Sequence, residues 1–373
     1  MRACDSAMRL ISTAGGRYTR RAFLAVAAQA AAAAQTVAPA RNQAYPSEAK
    51  RYSDPATEFT VVRLTDPTSS SFLTAPYNRG ISRNFMLFSS DRGGDLNVYR
   101  LELKGGAIQR ITDATQLNPQ TVALIQGDRS CCYVDGARLR VTSLGSLRDR
   151  DVYTAEGSRI TACAVTADGL NALVVERAER TSRIRLVNLT RGTASTFAES
   201  EDEITMPLPR PGGGVAYKSG ASMCWCDRSG NERLLQLAPG RIASAYWSTD
   251  GASLLYLNIP EKQGELNSIR EFVLATGQDK LVSKTTQFVQ FAMNADGTVF
   301  AGASGSRASP HVLILVRSVR RELTVCEHRA KDPGALALAF SPNSQRVVFQ
   351  SDQHGKPALY SVMVDRFVEE TES

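Results

Sequence analysis

From Thr60 onward, apolar and polar positions alternate in short runs bounded by Gly, Asp, Asn and Pro. A period of two predicts half-buried strands, and helical apolar spacing is nearly absent. Stacked together, the runs repeat. "AVTADGLNALVVE" starts at Ala164, "YWSTDGASLLYLN" at Tyr246, "AMNADGTVFAGAS" at Ala292 and "AFSPNSQRVVFQS" at Ala339. Each reads as strand, Asp-Gly or Asn-Ser turn, strand. Matching turns recur at about the 40–47-residue spacing of a four-stranded propeller blade.

Seven blades are predicted, starting near Tyr77, Thr121, Ile160, Ile204, Ile242, Phe288 and Ala335. The last ends near Val364 with only three strands of its own. An orphan strand, "FTVVRLTD" at residues 59–66, precedes the first blade, so residues 59–65 are predicted to complete the last blade as its outermost strand. Such closure hides the edges that a bare ring exposes. The expected fold is an all-β seven-bladed β-propeller over residues 59–366. A lead-in covers 41–58 and a tail covers 367–373. A pair of β-sandwiches would not explain turns that recur in phase.

Residues 1–40 read differently. Arg20 and Arg21 stand before Ala22-Phe23-Leu24 and a modest Ala-rich run, and Ala38-Pro39-Ala40 has a small-x-small pattern. This is the layout of a cleaved twin-arginine export signal and predicts a periplasmic or secreted protein. It also changes the charge picture. Five Arg and one Asp in these residues supply +4 of the formal +7, leaving +3 for the rest. With no basic block interleaved with aromatics, nucleic acid is not an expected partner. No apolar run reaches the roughly 20 residues of a membrane span. Beyond Cys4, the six cysteines form no C-x-x-C pair and fall mostly in apolar runs, as buried thiols do.

Two stretches are more specific. "YPSEAKRYSDPATEFTVVRLTDP", residues 45–67, contains an acidic residue, a Tyr-x-Asp and a Thr before a strand ending in Arg-Leu-Thr. "SDQHGKPALYSV", residues 351–362, follows "SPNSQRVVFQSD". Both resemble the oligogalacturonate lyase family, seven-bladed propellers that cleave short pectin fragments. The resemblance implies β-elimination. A base takes the proton α to a uronate carboxylate, and a divalent metal stabilises the enediolate. It further implies a metal held by three histidines and a glutamine, and a histidine base assisted by an arginine.

At those positions this chain differs. The family's His-Pro-His element falls on Ala335-Leu336-Ala337, and its metal glutamine on Asp332. The third metal histidine falls on Gln290, the base on Ser244 and the assisting arginine on Ser222. The chain's three histidines, His311, His328 and His354, lie elsewhere. His354 is expected to be a turn residue bonded to backbone, and the other two to be structural or solvated. No transition-metal cofactor is therefore expected, since such ions want imidazole or thiolate. Walker A, G-x-S-x-G and H-E-x-x-H motifs are absent.

"PYNRG", residues 76–80, is expected to open the first inner strand. There Tyr77 could stack on a sugar, and Asn78 could bond one. Arg79 could grip a carboxylate or simply sit in water. Ser244 and Gln290 would face the same cavity. The reading is an exported propeller that binds an acidic oligosaccharide and has lost the metal-dependent activity. The alternatives are an active lyase with a substituted site, and a TolB-like propeller that docks a protein partner.

Overall fold

The computed structural model describes residues 41–369 and 371, apart from Gln263 and Thr286. The predicted leader, residues 1–40, lies outside the described residues, as does part of the tail.

The described residues form seven antiparallel sheets arranged as the blades of a β-propeller. From the inner strand outward, blade 2 is Leu117–Ile125, Ser130–Asp135, Arg138–Ser143 and Asp149–Thr154. Blade 3 is Arg159–Val165, Asn171–Arg177, Ser182–Asn188 and Ala194–Ser200. Blade 4 is Ile204–Pro209, Val215–Ser219, Ser222–Cys226 and Glu232–Leu234. Blade 5 is Arg241–Trp247, Ser253–Ile259, Ser268–Val273 and Gln278–Lys284. Blade 6 is Phe288–Met293, Val299–Ser304, His311–Val316 and Arg321–Glu327.

The two blades at the closure each gain a fifth strand from the lead-in. Blade 7 supplies Leu338–Phe340, Arg346–Ser351 and Ala358–Met363 from the end of the chain. Thr60–Arg63 then pairs with Ala358–Met363, as the orphan strand predicts. It is not outermost, because Lys50–Ser53 adds beyond it. Blade 1 consists of Ser71–Phe72, Phe85–Ser90, Asn97–Glu102 and Ile108–Arg110, with Ala44–Tyr45 on its outer edge. Its inner strand therefore precedes residues 76–80. The turn over Pro76–Tyr77, closed by the Asn78 amide on Ala75 O at 2.9 Å, keeps that segment out of the ladder.

Seven apolar clusters fill the gaps between successive blades. Ala123, Val134, Cys163 and Val174 join blades 2 and 3. Leu208, Trp225, Trp247 and Tyr256 join blades 4 and 5. The ring closes where Val348 and Leu359 of blade 7 meet Met86, Phe88 and Tyr99 of blade 1. All six described cysteines are free and buried. Stability thus resides between blades, where alternate residues of each strand leave water.

Asp-Gly turns cap the hairpins as the repeat predicts. Asp250 accepts a hydrogen bond from the Ala252 amide at 2.9 Å, and Gly251 takes a φ of 68° that favours glycine.

Candidate functional site

The inner strands of blades 2 to 6 share an irregularity. Their register with the second strand slips at Asn118/Ala123, Ile160/Ala162, Thr205/Leu208, Ile242/Ala245 and Phe288/Gln290. Each slip lies near the start of the strand. A bulge there frees the backbone from the ladder and re-aims side chains. Gln120, Thr161, Met206 and Ser244 sit within these slips, and Gln290 closes the last one.

All five residues line one cavity of about 560 Å³ on the propeller axis, which also receives residues from blades 1 and 7. The recurring bulge has no signature in residue type, so the sequence did not point to Gln120, Thr161 or Met206. Lys218 and Arg241 also line the cavity, with no ion-pair partner among the described residues. Glu203 contributes one carboxylate. Nothing in the sequence singles out Lys218 or Arg241; only blade geometry brings them to one cavity.

Residues 75–77 form one wall of the cavity, and their segment runs beside blade 2's inner strand. The Ala75 amide donates to Gln120 O at 3.2 Å, and the Leu124 amide donates to Arg79 O at 2.7 Å. Tyr77 lines the cavity and packs against the cluster of blades 4 and 5. Burial pushes its phenol well above the ordinary value, so it stays protonated at neutral pH.

Asn78 does not face a ligand. Its Nδ2 donates to Cys163 O at 2.8 Å and to Gln120 O at 3.3 Å, and its Oδ1 accepts from the Val165 amide at 3.2 Å. Both donors are used to tie the wall to blades 2 and 3. Arg79 is outside the cavity lining and forms an ion pair with Asp128, which also accepts from Ser82 Oγ at 2.6 Å. The sequence reading grouped three neighbours; the irregular segment sends their side chains to three different surroundings.

Ser244 is 2% exposed, and its Oγ is buried without a hydrogen-bond partner. Gln290 reaches across to blade 7, donating from Nε2 to Gly334 O at 2.8 Å. Ala335 and Ala337 complete that wall. Asp332 stands outside it, exposed, accepting from the Gly334 amide at 2.9 Å as the cap of the short helix Pro333–Ala335. Ser222 is also outside the lining, at the start of the third strand of blade 4; Lys218 of the adjoining strand is the basic residue facing the axis.

A divalent transition metal does not fit these residues. The positions matched to its ligands offer one amide, two methyl groups and a carboxylate that points elsewhere. Among the described residues, no group of three His, Cys, Asp or Glu could hold a metal ion. The histidines serve the frame. His328 takes the structural of its two expected roles: it is wholly buried, its Nδ1 accepts from the Ala330 amide at 3.0 Å, and so its Nε2 donates to Ser304 O at 3.0 Å. Burial holds its pKa below the ordinary value. His354 sits in its hairpin turn as expected, but its Nδ1 meets Tyr360 Oη at 2.8 Å, not backbone. His311 opens the third strand of blade 6.

No protein-family model matches the chain. It is 22% identical to the oligogalacturonide lyase of Pectobacterium atrosepticum, over 84% of this chain and 95% of that protein. It is 21% identical to the oligogalacturonate lyase of Dickeya dadantii, with the same coverage. Its fold matches an oligogalacturonate lyase solved in complex with manganese at a TM-score of 0.80, with 20% identity, over 87% of this chain and 98% of that one. The oligogalacturonate lyase of Vibrio parahaemolyticus matches at 0.79, also with 20% identity, over 87% and 99%.

Proposed function

We propose that this divergent member of the oligogalacturonate lyase family is an exported propeller that holds an acidic oligosaccharide in its axial cavity, without metal-dependent elimination. One observation carries the reading. Ser244, Gln290, Ala335 and Ala337, the four positions where the resemblance puts histidine, all line the cavity, as do the unpaired cations Lys218 and Arg241. Cations suit uronate carboxylates, and Gln120, Thr161, Glu203 and Ser244 can bond sugar hydroxyls. Elimination needs a base of suitable pKa. Ser244 supplies none at neutral pH, and Tyr77 holds its proton too tightly.

Two competing readings have less support. An active lyase with a substituted base leaves Lys218 as its nearest candidate. A protein-docking propeller would present a contiguous apolar face. The exposed large apolar side chains, Leu170, Leu234, Leu266, Leu281, Val319 and Met363, are instead spread over blades 3 to 7. Export rests on Arg20 and Arg21, and no helix among the described residues is long and apolar enough to cross a membrane.

The test pairs binding with turnover. Oligogalacturonate should bind by calorimetry, and Lys218→Gln with Arg241→Gln should weaken binding roughly ten-fold or more. The ultraviolet absorbance of unsaturated product should not rise, with or without Mn²⁺. Turnover that a chelator abolishes would sink the reading. Export is tested by changing Arg20 and Arg21 to Lys together, which should block it.

A further inference from the structure

Away from the axis, a second pocket of about 690 Å³ opens between the outer parts of blades 7 and 1. Pairing register puts Arg51, Val62, Ser361, Arg346 and Met363 on one face of blade 7, and all of them line this pocket. Blade 1 contributes Leu101 to Leu103 and the turn at Gly105-Gly106.

Arg346 is the anomaly. The half-buried guanidinium makes one hydrogen bond, from Nη1 to Ser361 Oγ at 3.4 Å, and no ion pair among the described residues. Its surroundings lower its pKa, first through burial and then through the charge of Arg51. Arg51 also lacks an ion-pair partner among the described residues. A half-buried guanidinium with a like charge beside it and no counter-charge is costly. Three carboxylates lie in the lining, Glu58, Glu102 and Asp365, but none pairs with these arginines, and Glu102 pairs with Arg100 at 2.7 Å. Phe59 adds an aromatic side chain, with Arg366 over its ring at 5.7 Å. The pocket thus offers unpaired guanidinium donors, two carboxylate acceptors without an ion pair among the described residues, Glu58 and Asp365, and an aromatic wall.

We propose that this pocket is a second binding site, for an anionic sugar, with the anion on Arg346 and Arg51 and the hydroxyls on the rim carboxylates. Five fixed donors per guanidinium suit an oxyanion, and carboxylates accept readily from hydroxyl groups. A carboxylate or a phosphate provides the same chemistry. The site does not depend on what occupies the axial cavity.

Calorimetric titration of the intact protein with glucuronate, glucose 6-phosphate and glucose tests the assignment. At least one acid should bind saturably, and glucose should bind roughly ten-fold more weakly or not at all. The acid that binds identifies the anion. The titrations are repeated in Lys218→Gln with Arg241→Gln, whose axial cavity has lost its cations. There the binding should persist, Arg346→Met should abolish its heat, and Arg51→Gln, on the exposed rim where folding is safe, should weaken it roughly ten-fold. Failure of both acids to bind the unaltered protein would overturn the proposal. So would binding that survives Arg346→Met and Arg51→Gln, or binding lost in Lys218→Gln with Arg241→Gln, which would place the sugar on the axis.

Discussion

The seam that closes the ring and the mouth of the axial cavity differ in how closely they follow the family resemblance. At the seam, residues that carry the family resemblance hold the closure. Glu48 pairs with Arg92 at 2.9 Å and accepts from the Asp66 amide at 2.7 Å. Arg92 in turn lies over the rings of Phe88 and Tyr99. Tyr52 Oη accepts from Gln353 Nε2 at 3.0 Å, and Thr57 Oγ1 donates to Val325 O at 2.6 Å. The hairpin "SDQHGKPALYSV" answers from the other end of the chain: the Lys356 amide donates to Pro67 O at 3.0 Å, and the Leu359 amide donates to Thr65 Oγ1 at 2.9 Å. At the cavity mouth, the positions matched to chemistry hold Ala335, Ala337, Ser244 and Gln290. A ring that opens at its seam exposes two blade edges, so those contacts tolerate little change. A cavity wall bears no such load, and its residues are free to follow the ligand.

The largest effect should come from placing imidazoles at the mouth. If only the side chains at the mouth differ from the family pattern, then Ala335→His, Ala337→His and Gln290→His together should supply an imidazole set on an intact frame. Mn²⁺ affinity should rise by about 1,000-fold, or about 4 kcal/mol. Titration by calorimetry or by paramagnetic resonance reads this directly. An unchanged affinity would mean that the backbone of blades 6 and 7 differs as well.

Next in size is a cut at the seam. Asp54 is 2% exposed, and its carboxylate accepts from the Ala56 and Thr57 amides at 3.1 and 3.0 Å and from the Glu327 amide at 2.8 Å. It holds the lead-in to the outer strand of blade 6. Asp54→Ala strands those donors and should cost about 3 kcal/mol in denaturant unfolding. A loss within about 0.5 kcal/mol would show that the seam is not the region under load.

This contrast also explains what could be read from the sequence. The blade count and the closure were legible because Asp-Gly turns and alternating strands are local codes, and an orphan strand has only one edge to fill. Lys50–Ser53 was missed because "KRYS" has no apolar alternation; it is a mostly exposed edge in which only Tyr52 turns inward. At the site, Ser244 and Gln290 were found through the resemblance, and the structure puts both in the lining. Asn78 and Arg79 were misplaced because adjacency in sequence means little in an irregular segment. Lys218 and Arg241 could not be found from spacing, since they belong to different blades and share only the cavity.

A smaller effect concerns pH. His328 is neutral in the fold, with its pKa below the unfolded value of 6.5 because burial disfavours the cation. The stability it provides is complete above about pH 6.5 and is lost as pH falls from there through the lowered folded value. His354 shifts in the same direction, through burial and then the charges of Arg63 and Arg329. Between about pH 7.5 and about pH 5.5, the stability of the protein relative to His328→Gln should fall, with a slope of at most about 1.4 kcal/mol per pH unit. A pH-independent difference would remove the seam's neighbour from the set of titrating groups.

The smallest effect lies at the cavity mouth and sharpens the comparison most. Ser244 Oγ is buried with no partner, and a buried hydroxyl without a hydrogen bond contributes nothing favourable to folding. Ser244→Ala removes that unsatisfied atom and barely changes the packing. Stability should stay the same or rise by up to about 1 kcal/mol, against the loss expected for Asp54→Ala. Oligogalacturonate affinity should move the other way and fall roughly three- to ten-fold, because the hydroxyl's partner arrives with the ligand. Thermal unfolding and calorimetry on the one variant separate the two roles. A destabilised protein would place Ser244 with the frame, and unchanged affinity in a stable protein would put the sugar out of its reach.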